Sequence, residues 1–191
     1  LLHDANPLIR RTAAIALGKS RAQRAGDPLL VLLQDTDKDM QVAAIEALGY
    51  LRDPRAVAPL LNVLRNSDPN LRKQAISALG LLRERQAVEP LLAMLTDTAP
   101  GIQSSAVTAL GWLHDRRATA PILALLSDPK VVTKDFWLPA LNVLRNLCDP
   151  RAVDQLCTAL SAPDMTSMML GLVHHTLMQY PQTPKIKSAM R

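Results

Sequence analysis

The tripeptide Ala-Leu-Gly returns at a constant spacing along the chain, and this spacing, called the repeat step below, limits the folds that the sequence can adopt. Its copies end at Gly18, Gly49, Gly80 and Gly111. Two other columns keep the same step, one of prolines and one of helix-start residues: Pro28, Pro59, Pro90 and Pro121; Asn6, Asp37 and Asp68. The step falls in the range of about 20 to 50 residues that is typical of stacked repeat proteins. The sequence therefore predicts a row of similar units.

Each unit contains two apolar helical patterns separated by turn residues. In the third unit Asp53 is a helix cap followed by Pro54, and apolar residues then recur at helical spacing, which predicts a first helix, the A helix. After Ser67-Asp68-Pro69 a second stripe predicts the B helix, with Leu71, Ala75, Leu79 and Leu82 on one side. One hairpin cannot bury its apolar stripe alone, so we expect the hairpins to stack into a solenoid.

The glycine and proline columns lie inside these predicted helices. A glycine in a helix interior costs roughly 1 kcal/mol relative to alanine. We therefore expect the next helix to approach each column glycine too closely for a Cβ atom. The prolines lie about one turn inside the A helix, where a missing N–H group predicts a bend.

The composition fits a helical protein of ordinary surface charge. Hydrophobic residues make up 48% of the chain and aromatic residues 3%, so the core must consist mainly of aliphatic side chains. A net charge of +5 is a mild bias that favours acidic partners weakly. Cys148 and Cys157 lack metal-ligand spacing and are expected to be reduced, buried thiols. Because no apolar run of membrane-spanning length and no signal-like start is present, we expect a cytoplasmic protein without a membrane span.

The repeat becomes irregular towards the end of the chain. After Ser127 the register slips, and 140–153 aligns with 75–88 only after an insertion, which the sequence pattern puts at about five positions and which includes Phe136 and Trp137. We predict one solenoid over 1–180, with an irregular unit at 127–149 and a capping unit at 150–180. The remainder, 181–191, is predicted to be a flexible tail, and the start at Leu1 in mid-pattern predicts that further repeats precede it.

Segments such as Asp53-Pro-Arg-Ala-Val-Ala-Pro-Leu-Leu and Leu71-Arg-Lys-Gln-Ala-Ile-Ser-Ala-Leu-Gly80 resemble the HEAT-like repeats of the phycobilisome lyase family. The resemblance covers nearly the whole chain. It implies an all-α, right-handed α-α superhelix of about five to six HEAT-like hairpins. In that family such repeats often act as paired subunits that bind phycobiliprotein and a tetrapyrrole. The resemblance therefore implies an alternative function as a bilin lyase subunit or phycobilisome-processing factor, with a bilin as ligand and a hetero-oligomer as the assembly.

Catalytic and metal-binding patterns are not found in the sequence. His174 and His175 point about 100° apart on a helix, which is poor geometry for a shared metal. The repeated His-Glu pairs of HEAT-repeat di-iron hydroxylases do not occur. We predict no catalytic residues, metal or cofactor, and the sequence favours a non-enzymatic role. Nucleic-acid binding is a minor alternative that the pI of about 9.6 supports and the scarcity of aromatic residues disfavours.

The side of the B helix opposite its core stripe is the predicted binding surface. At about 100° per residue, positions 73, 77 and 81 face away from Leu71 and Leu79. The equivalent positions form three rows, here called the B-helix face: Arg11, Val42, Lys73 and Ser104; Ile15, Glu46, Ser77 and Thr108; Lys19, Tyr50, Leu81 and Trp112. Their chemistry varies while the core columns do not, which favours a scaffold or adaptor whose concave surface binds another protein.

Aromatic and arginine residues on these helices each have two interpretations. Tyr50 and Trp112 are either anchors for a partner or fillers between hairpins. Phe136 and Trp137 form a secondary candidate site. Two arginines next to the core stripe are expected to bond turn carboxylates such as Asp37 or Asp68 within the stack: Arg10 and Arg72.

Overall fold

The computed structural model describes residues 1–127, 134–160, 167–181 and 183–190. They contain α-helices and short 3₁₀ turns, and no β-strand occurs in these ranges. The chain divides into two compact units, Leu1–Leu113 and His114–Arg191. The all-α class and the HEAT-like hairpins are confirmed, and the prediction of a single solenoid over 1–180 stays a prediction.

Unit 1, Leu1–Leu113, is a regular stack of hairpins. Its long odd-numbered helices are the predicted B helices and its short even-numbered helices belong to the A segments: α1 (Pro7–Lys19), α2 (Gly26–Leu32), α3 (Lys38–Leu51), α4 (Val57–Val63), α5 (Pro69–Leu82), α6 (Val88–Ala93) and α7 (Ile102–Leu113). Each B helix packs on the next, in the order α1, α3, α5, α7, and each A helix packs on the B helix that follows it. The apolar stripes meet between these two layers, where Leu48, Leu79 and Leu110 are fully buried.

The predicted caps begin the B helices. The side chains of Asn6, Asp37 and Asp68 each accept a hydrogen bond at 2.9 Å from the backbone N–H two residues later. These bonds satisfy donors that would otherwise lack a partner in the first helical turn. Short polar side chains at a fixed step therefore start the B helix at the same point of each hairpin.

The glycine column works as predicted. A Cβ atom on Gly18 would lie 2.4 Å from the carbonyl oxygen of Ala47, and one on Gly49 would lie 2.9 Å from the Cα atom of Ala78. The B helices thus touch backbone to backbone. An interior glycine is tolerated because any side chain would separate the two helices.

The proline column lies near the start of the α-helix in each A segment of unit 1. Each A segment opens with a 3₁₀ turn, such as Pro54–Ala56, before the α-helix begins at Val57. Pro59 is therefore in the first α-helical turn, where an N–H group has no partner within the regular helix. The expected position of the proline, about one turn inside the helical A segment, is confirmed, and the bend stays a prediction.

Unit 2, His114–Arg191, is less regular. Its α-helices within the described residues are α8 (Thr119–Leu126), α9 (Lys134–Leu147), α10 (Arg151–Leu160), α11 (Ser167–Leu177) and α12 (Pro184–Ala189). α9 packs on α8 and α11, and contains Pro139. The Tyr180 hydroxyl donates a hydrogen bond at 2.8 Å to the Leu144 carbonyl, and burial raises the pKa of Tyr180 to about 12.

Part of the predicted tail is ordered. Thr183 caps α12, which packs on α10 with Ile186 fully buried. Lys185 Nζ lies 2.6 Å from Asp154 Oδ1 on α10. The expectation of a flexible end over 181–191 is therefore wrong for α12, because one apolar side chain and one ion pair attach it to the unit.

One residue in the left-handed conformation follows each of the long helices α1, α3, α5, α7 and α9. The spacing of these residues gives the length of the insertion. The five positions are Arg21, Arg52, Arg83, His114 and Cys148, with φ between 43° and 56°. The first four keep the repeat step, and the last interval exceeds that step by three positions, so the insertion is three residues and not five. Cys148 is exposed, unlike the buried Cys157, so the expectation of two buried thiols holds for one of them.

Candidate partner-binding face

The twelve residues of the B-helix face all lie in unit 1, on α1, α3, α5 and α7. None of them is buried, whereas the opposite stripe of the same helices is. The helical period therefore places the predicted residues together on one accessible side of the four B helices. This side is polar near the start of the helices and more apolar near their end.

The first and second rows are largely polar. Arg11 forms an exposed ion pair with Asp39 at 2.6 Å, and Lys73 is exposed. The hydroxyl groups of Ser77 and Thr108 donate hydrogen bonds to carbonyls of their own helices at 3.2 and 2.9 Å. Half of the eight side chains in these two rows are small, and most of the polar groups face water or bond to their own helix.

The third row, Lys19, Tyr50, Leu81 and Trp112, is the most apolar part of the face and is called the aromatic row below. Lys19 Nζ lies 5.3 Å from the centre of the Tyr50 ring, within cation–π distance. Leu81 and Trp112 lie on the glycine column of the preceding helix, and a Cβ atom on Gly80 would be 2.7 Å from Trp112 Cε3.

The structure shows Trp112 as a filler between hairpins, and its role as an anchor for a partner stays a prediction. The ring covers the space above Gly80 and so fills a gap between hairpins. It nevertheless stays 37% exposed, which places it among the exposed large apolar side chains of unit 1. A large aromatic that is held in place by packing and still reaches solvent is well suited to contact a partner at little cost in side-chain entropy.

Sequence reasoning missed a second set of residues beside the aromatic row. Arg21, Arg52 and Arg83, here called the arginine column, lie just beyond α1, α3 and α5, with φ of 53°, 55° and 56°. Their side chains are exposed and form no ion pair or side-chain hydrogen bond within the described residues. The signal was present in the sequence, since these arginines keep the repeat step, each three positions after a column glycine.

An ion pair begins one A segment of unit 1 on the same edge, and the pair recurs in unit 2. Asp53, buried at 4% exposure, caps its 3₁₀ turn and binds the Arg55 guanidinium through both carboxylate oxygens, at 2.7 to 3.1 Å. Arg55 also reaches Asp27 of the preceding hairpin at 2.7 Å. The Arg55 guanidinium beside Asp53 lowers the pKa of that carboxyl group. In unit 2 Asp149 and Arg151 repeat the arrangement, with the pKa of Asp149 lowered well below its usual range by Arg151.

The two stack arginines bond within the protein, although not to the predicted carboxylates. Arg72 binds both oxygens of Asp97, at 3.0 and 3.2 Å, and donates to the Asn66 carbonyl at 2.8 Å. Arg10 donates to the Asp4 carbonyl at 2.8 Å, and Gln41, at the same repeat position, to the Asp35 carbonyl at 2.8 Å. The structural role is confirmed, but the partners are Asp97 and loop carbonyls instead of Asp37 or Asp68.

The secondary candidate residues lie in the interior of unit 2. Phe136 and Trp137 are 3% and 4% exposed. The alignment that pairs Ala140 with Ala75 also pairs Phe136 with Leu71, so Phe136 takes the place of a core leucine. The pair therefore does not present an exposed surface in the structure.

Within the ranges the structure covers, no group of three His, Cys, Asp or Glu side chains could hold a metal ion. In those same ranges no helix has the length and apolar character needed to cross a membrane. A groove of about 400 Å³ also lies between A segments, lined by residues that include Leu30, Pro59 and Val63.

Comparisons with known proteins place this architecture in a family. The chain belongs to the HEAT-repeat family, whose model, described as HEAT repeats, matches residues 1–67 and 57–135. No curated protein matches the chain.

Solved structures share the fold at low sequence identity. A chain from the complex of CpcE and CpcF of phycocyanin lyase from Nostoc sp. PCC7120 is 24% identical, with a TM-score of 0.66 over 93% of this chain and 72% of that one. A designed armadillo repeat protein in complex with the peptide (KR)4 is 17% identical, with a TM-score of 0.68 over 94% and 96%. An archaeal HEAT-like repeats protein from Thermococcus onnurineus NA1 is 15% identical, with a TM-score of 0.57 over 94% and 80%.

Proposed function

We propose that the protein is a non-enzymatic scaffold or adaptor that binds a partner protein on the B-helix face of unit 1. The observation that carries the proposal is the aromatic row, in which Tyr50, Leu81 and Trp112 line one end of the face while the core columns beneath them stay constant. Interface hot spots are enriched in Tyr, Trp and Arg, and a solenoid typically binds its partners on such an extended surface.

The test compares capture of partners from a lysate of the source organism by three forms of the protein. The Tyr50→Ala, Trp112→Ala variant removes the anchors. The Val31→Ala, Met178→Ala variant is the matched control, since those side chains are 72% and 52% exposed and lie outside the face. We expect the wild type and the control to retain the same protein and the anchor variant to lose it.

Trp112 also packs on Gly80, so loss of capture needs a check on folding. Thermal unfolding followed by circular dichroism measures whether the anchor variant stays folded. Lys73→Glu gives a second test, because Lys73 is exposed on the face. Capture that survives both changes on the face would contradict the proposal.

A second candidate function is a bilin lyase subunit or phycobilisome-processing factor that binds phycobiliprotein and a bilin. The resemblance of its repeat segments to the phycobilisome lyase family supports it, and the likeness to a phycocyanin lyase chain shows the shared fold. Mixing the protein with a free linear tetrapyrrole and recording the absorbance spectrum tests this function. A shifted bilin band that saturates as protein is added favours it, and an unchanged spectrum of the mixture counts against it.

A further inference from the structure

The arginine column occupies backbone positions at which an arginine is energetically unfavourable. At φ near 55° an L residue loses roughly 1 to 2 kcal/mol relative to the right-handed conformation, and glycine or asparagine is the usual residue beyond a helix end. Arg21, Arg52 and Arg83 nevertheless occupy this position in three successive hairpins. A cation near a helix carboxyl end gains about 0.3 to 1 kcal/mol from the helix dipole, which offsets only part of that cost.

No side chain among the described residues pairs with these three arginines. Within the described residues none of them forms an ion pair, in contrast to Arg55, which binds both Asp53 and Asp27 on the same edge. Two further exposed arginines close to the column in sequence likewise form no ion pair there: Arg24 and Arg85. The edge therefore offers unneutralised guanidinium groups at a regular interval, with Glu84 as a nearby acid.

The interval follows from the glycine contacts. Gly18 on Ala47 and Gly49 on Ala78 hold neighbouring B helices at close range, and packed helices lie about 8 to 10 Å apart. An extended peptide in the polyproline II conformation has three residues per turn and advances about 3.1 Å per residue, so side chains three apart share one face and match one step of the column. A partner with an acidic residue at every third position would place one carboxylate on each arginine.

The aromatic row narrows the choice of partner further. Tyr50 and Leu81 precede Arg52 and Arg83 by two residues, so an apolar strip borders the cationic one. Guanidinium groups bind carboxylates in a planar, bidentate way, and an extended protein segment also has apolar side chains for the strip. Nucleic acid would match the positive charge, but its bases would need more exposed aromatic residues than Tyr50 and Trp112.

We infer that the arginine column binds an extended acidic segment of the partner protein, with acidic residues three apart facing Arg21, Arg52 and Arg83. The inference rests on the proposed function and specifies the chemistry of the partner. The column sets the register of the bound segment, and the aromatic row contacts the apolar side chains between its carboxylates.

The experiment measures fluorescence anisotropy of a labelled peptide made of three Glu-Ala-Ser units, at low salt. The comparison peptide has the same composition with its glutamates adjacent. The test variant is Arg52→Asn, Arg83→Asn, because asparagine removes the charge and accepts the left-handed conformation. The matched control, Arg65→Asn, Lys187→Asn, removes the same charge from exposed residues that lie outside the column.

We expect the spaced peptide to bind more tightly than the clustered one, and the test variant to weaken its binding at least about tenfold, as loss of charge-assisted hydrogen bonds predicts. The control should change the affinity less than about twofold. Equal weakening by the two variants would overturn the inference, since net charge alone would explain it. Equal affinity for the two peptides, or tighter binding of a single-stranded oligonucleotide of equal charge with the same dependence on the column, would also overturn it.

The outcome is separable from that of the proposed function. If partner capture is lost in the Tyr50→Ala, Trp112→Ala variant and kept in the Arg52→Asn, Arg83→Asn variant, the B-helix face binds a protein and the arginine column does not contribute. If neither variant affects capture, the proposed function fails first. Loss of capture in both variants, together with selective binding of the spaced peptide, supports both.

Discussion

The B helices of unit 1 contact each other through glycine, whereas α9 in unit 2 has Arg145 at the corresponding position and Pro139 in its interior. In unit 1 the backbones of Gly18 and Ala47 are so close that an extra residue in one of these helices would require a matching change in the other helix. Where the glycine is missing, three residues have been inserted. The repeat step therefore depends on a contact between backbones, and it changes where this contact is absent.

Substituting a glycine by alanine should have opposite effects in the two units. Gly18→Ala places a Cβ atom 2.4 Å from a backbone oxygen, so we expect the free energy of unfolding to fall by about 2 to 3 kcal/mol. Gly171→Ala in α11 meets nothing within 4 Å, and helix propensity should raise the free energy of unfolding by about 0.5 to 1 kcal/mol. Urea unfolding followed by circular dichroism measures both. A stabilised Gly18→Ala protein would refute the backbone-contact account of the repeat step.

Arg72 links a B helix of unit 1 to the next hairpin, whereas the aligned position in unit 2 holds the buried Trp137. Arg72→Ala leaves Asp97 without its guanidinium and the Asn66 carbonyl without its donor, so we expect a loss of about 2 kcal/mol in the free energy of unfolding. Arg72→Gln should lose less, because Gln41 makes the equivalent carbonyl bond elsewhere in the stack. Chemical unfolding of the two variants checks the order, and equal losses would show that the carbonyl bond contributes nothing.

The aspartate–arginine pairs occur in both units, so equivalent substitutions in the two pairs should change the free energy of unfolding by similar amounts. Asp53→Asn and Asp149→Asn keep a cap but lose the charge, and we expect each to lower the free energy of unfolding by about 1 kcal/mol, measured by urea unfolding. A clear difference between the two losses would mean that the pair depends on its surroundings and not on its local geometry.

Acid should act on these pairs in a fixed direction. Their arginines lower the pKa values of Asp53 and Asp149 in the folded protein, so the folded state binds fewer protons than the unfolded state. The stabilisation is therefore fully present above the unfolded value of about 3.9 and is lost as the pH falls towards the lower folded values. Unfolding measured from pH 6 to pH 2 should show this decline, and the decline should be shallower in the two asparagine variants.

The smallest expected effect concerns the arginine column. Arg52→Gly relieves the left-handed strain and loses a favourable dipole interaction, so we expect the free energy of unfolding to rise by about 0.5 kcal/mol. The equivalent change in unit 2, Cys148→Gly, should stabilise slightly more, because a thiol gives up no charge. Differential scanning calorimetry of both variants checks the order, and a destabilised Arg52→Gly protein would show that this arginine is kept for stability alone.

Much of the fold could be predicted because the repeated residues reflect local interactions, such as helix capping and close helix packing. The caps Asn6, Asp37 and Asp68, the glycine column and the buried stripe each follow from one residue type at one step. The proline column was less informative, because its residues fit equally well inside a bent helix and at the first turn of a helix that follows a 3₁₀ segment. Only the backbone geometry separates these two arrangements.

The site was harder to predict because its chemistry does not follow from pattern alone. The helical period placed Tyr50 and Trp112 on an accessible side, but it could not show that Trp112 lies over Gly80. The arginine column was overlooked because its members lie outside the helices, where no helical period applies. An insertion of five residues predicts Phe136 as a surface candidate because it hides the alignment with Leu71, which an insertion of three makes visible.

Contacts between neighbouring hairpins also determine how unit 1 can form. The Asp53–Arg55 pair joins residues two apart in the chain, and each B helix packs on one that is a single repeat away. Proteins rich in such local contacts fold in microseconds to milliseconds, and stacked repeats can begin folding at any hairpin and propagate in both directions. A hairpin of unit 1 therefore needs only its immediate neighbour to become ordered, so folding can advance along the nascent chain one repeat at a time during synthesis.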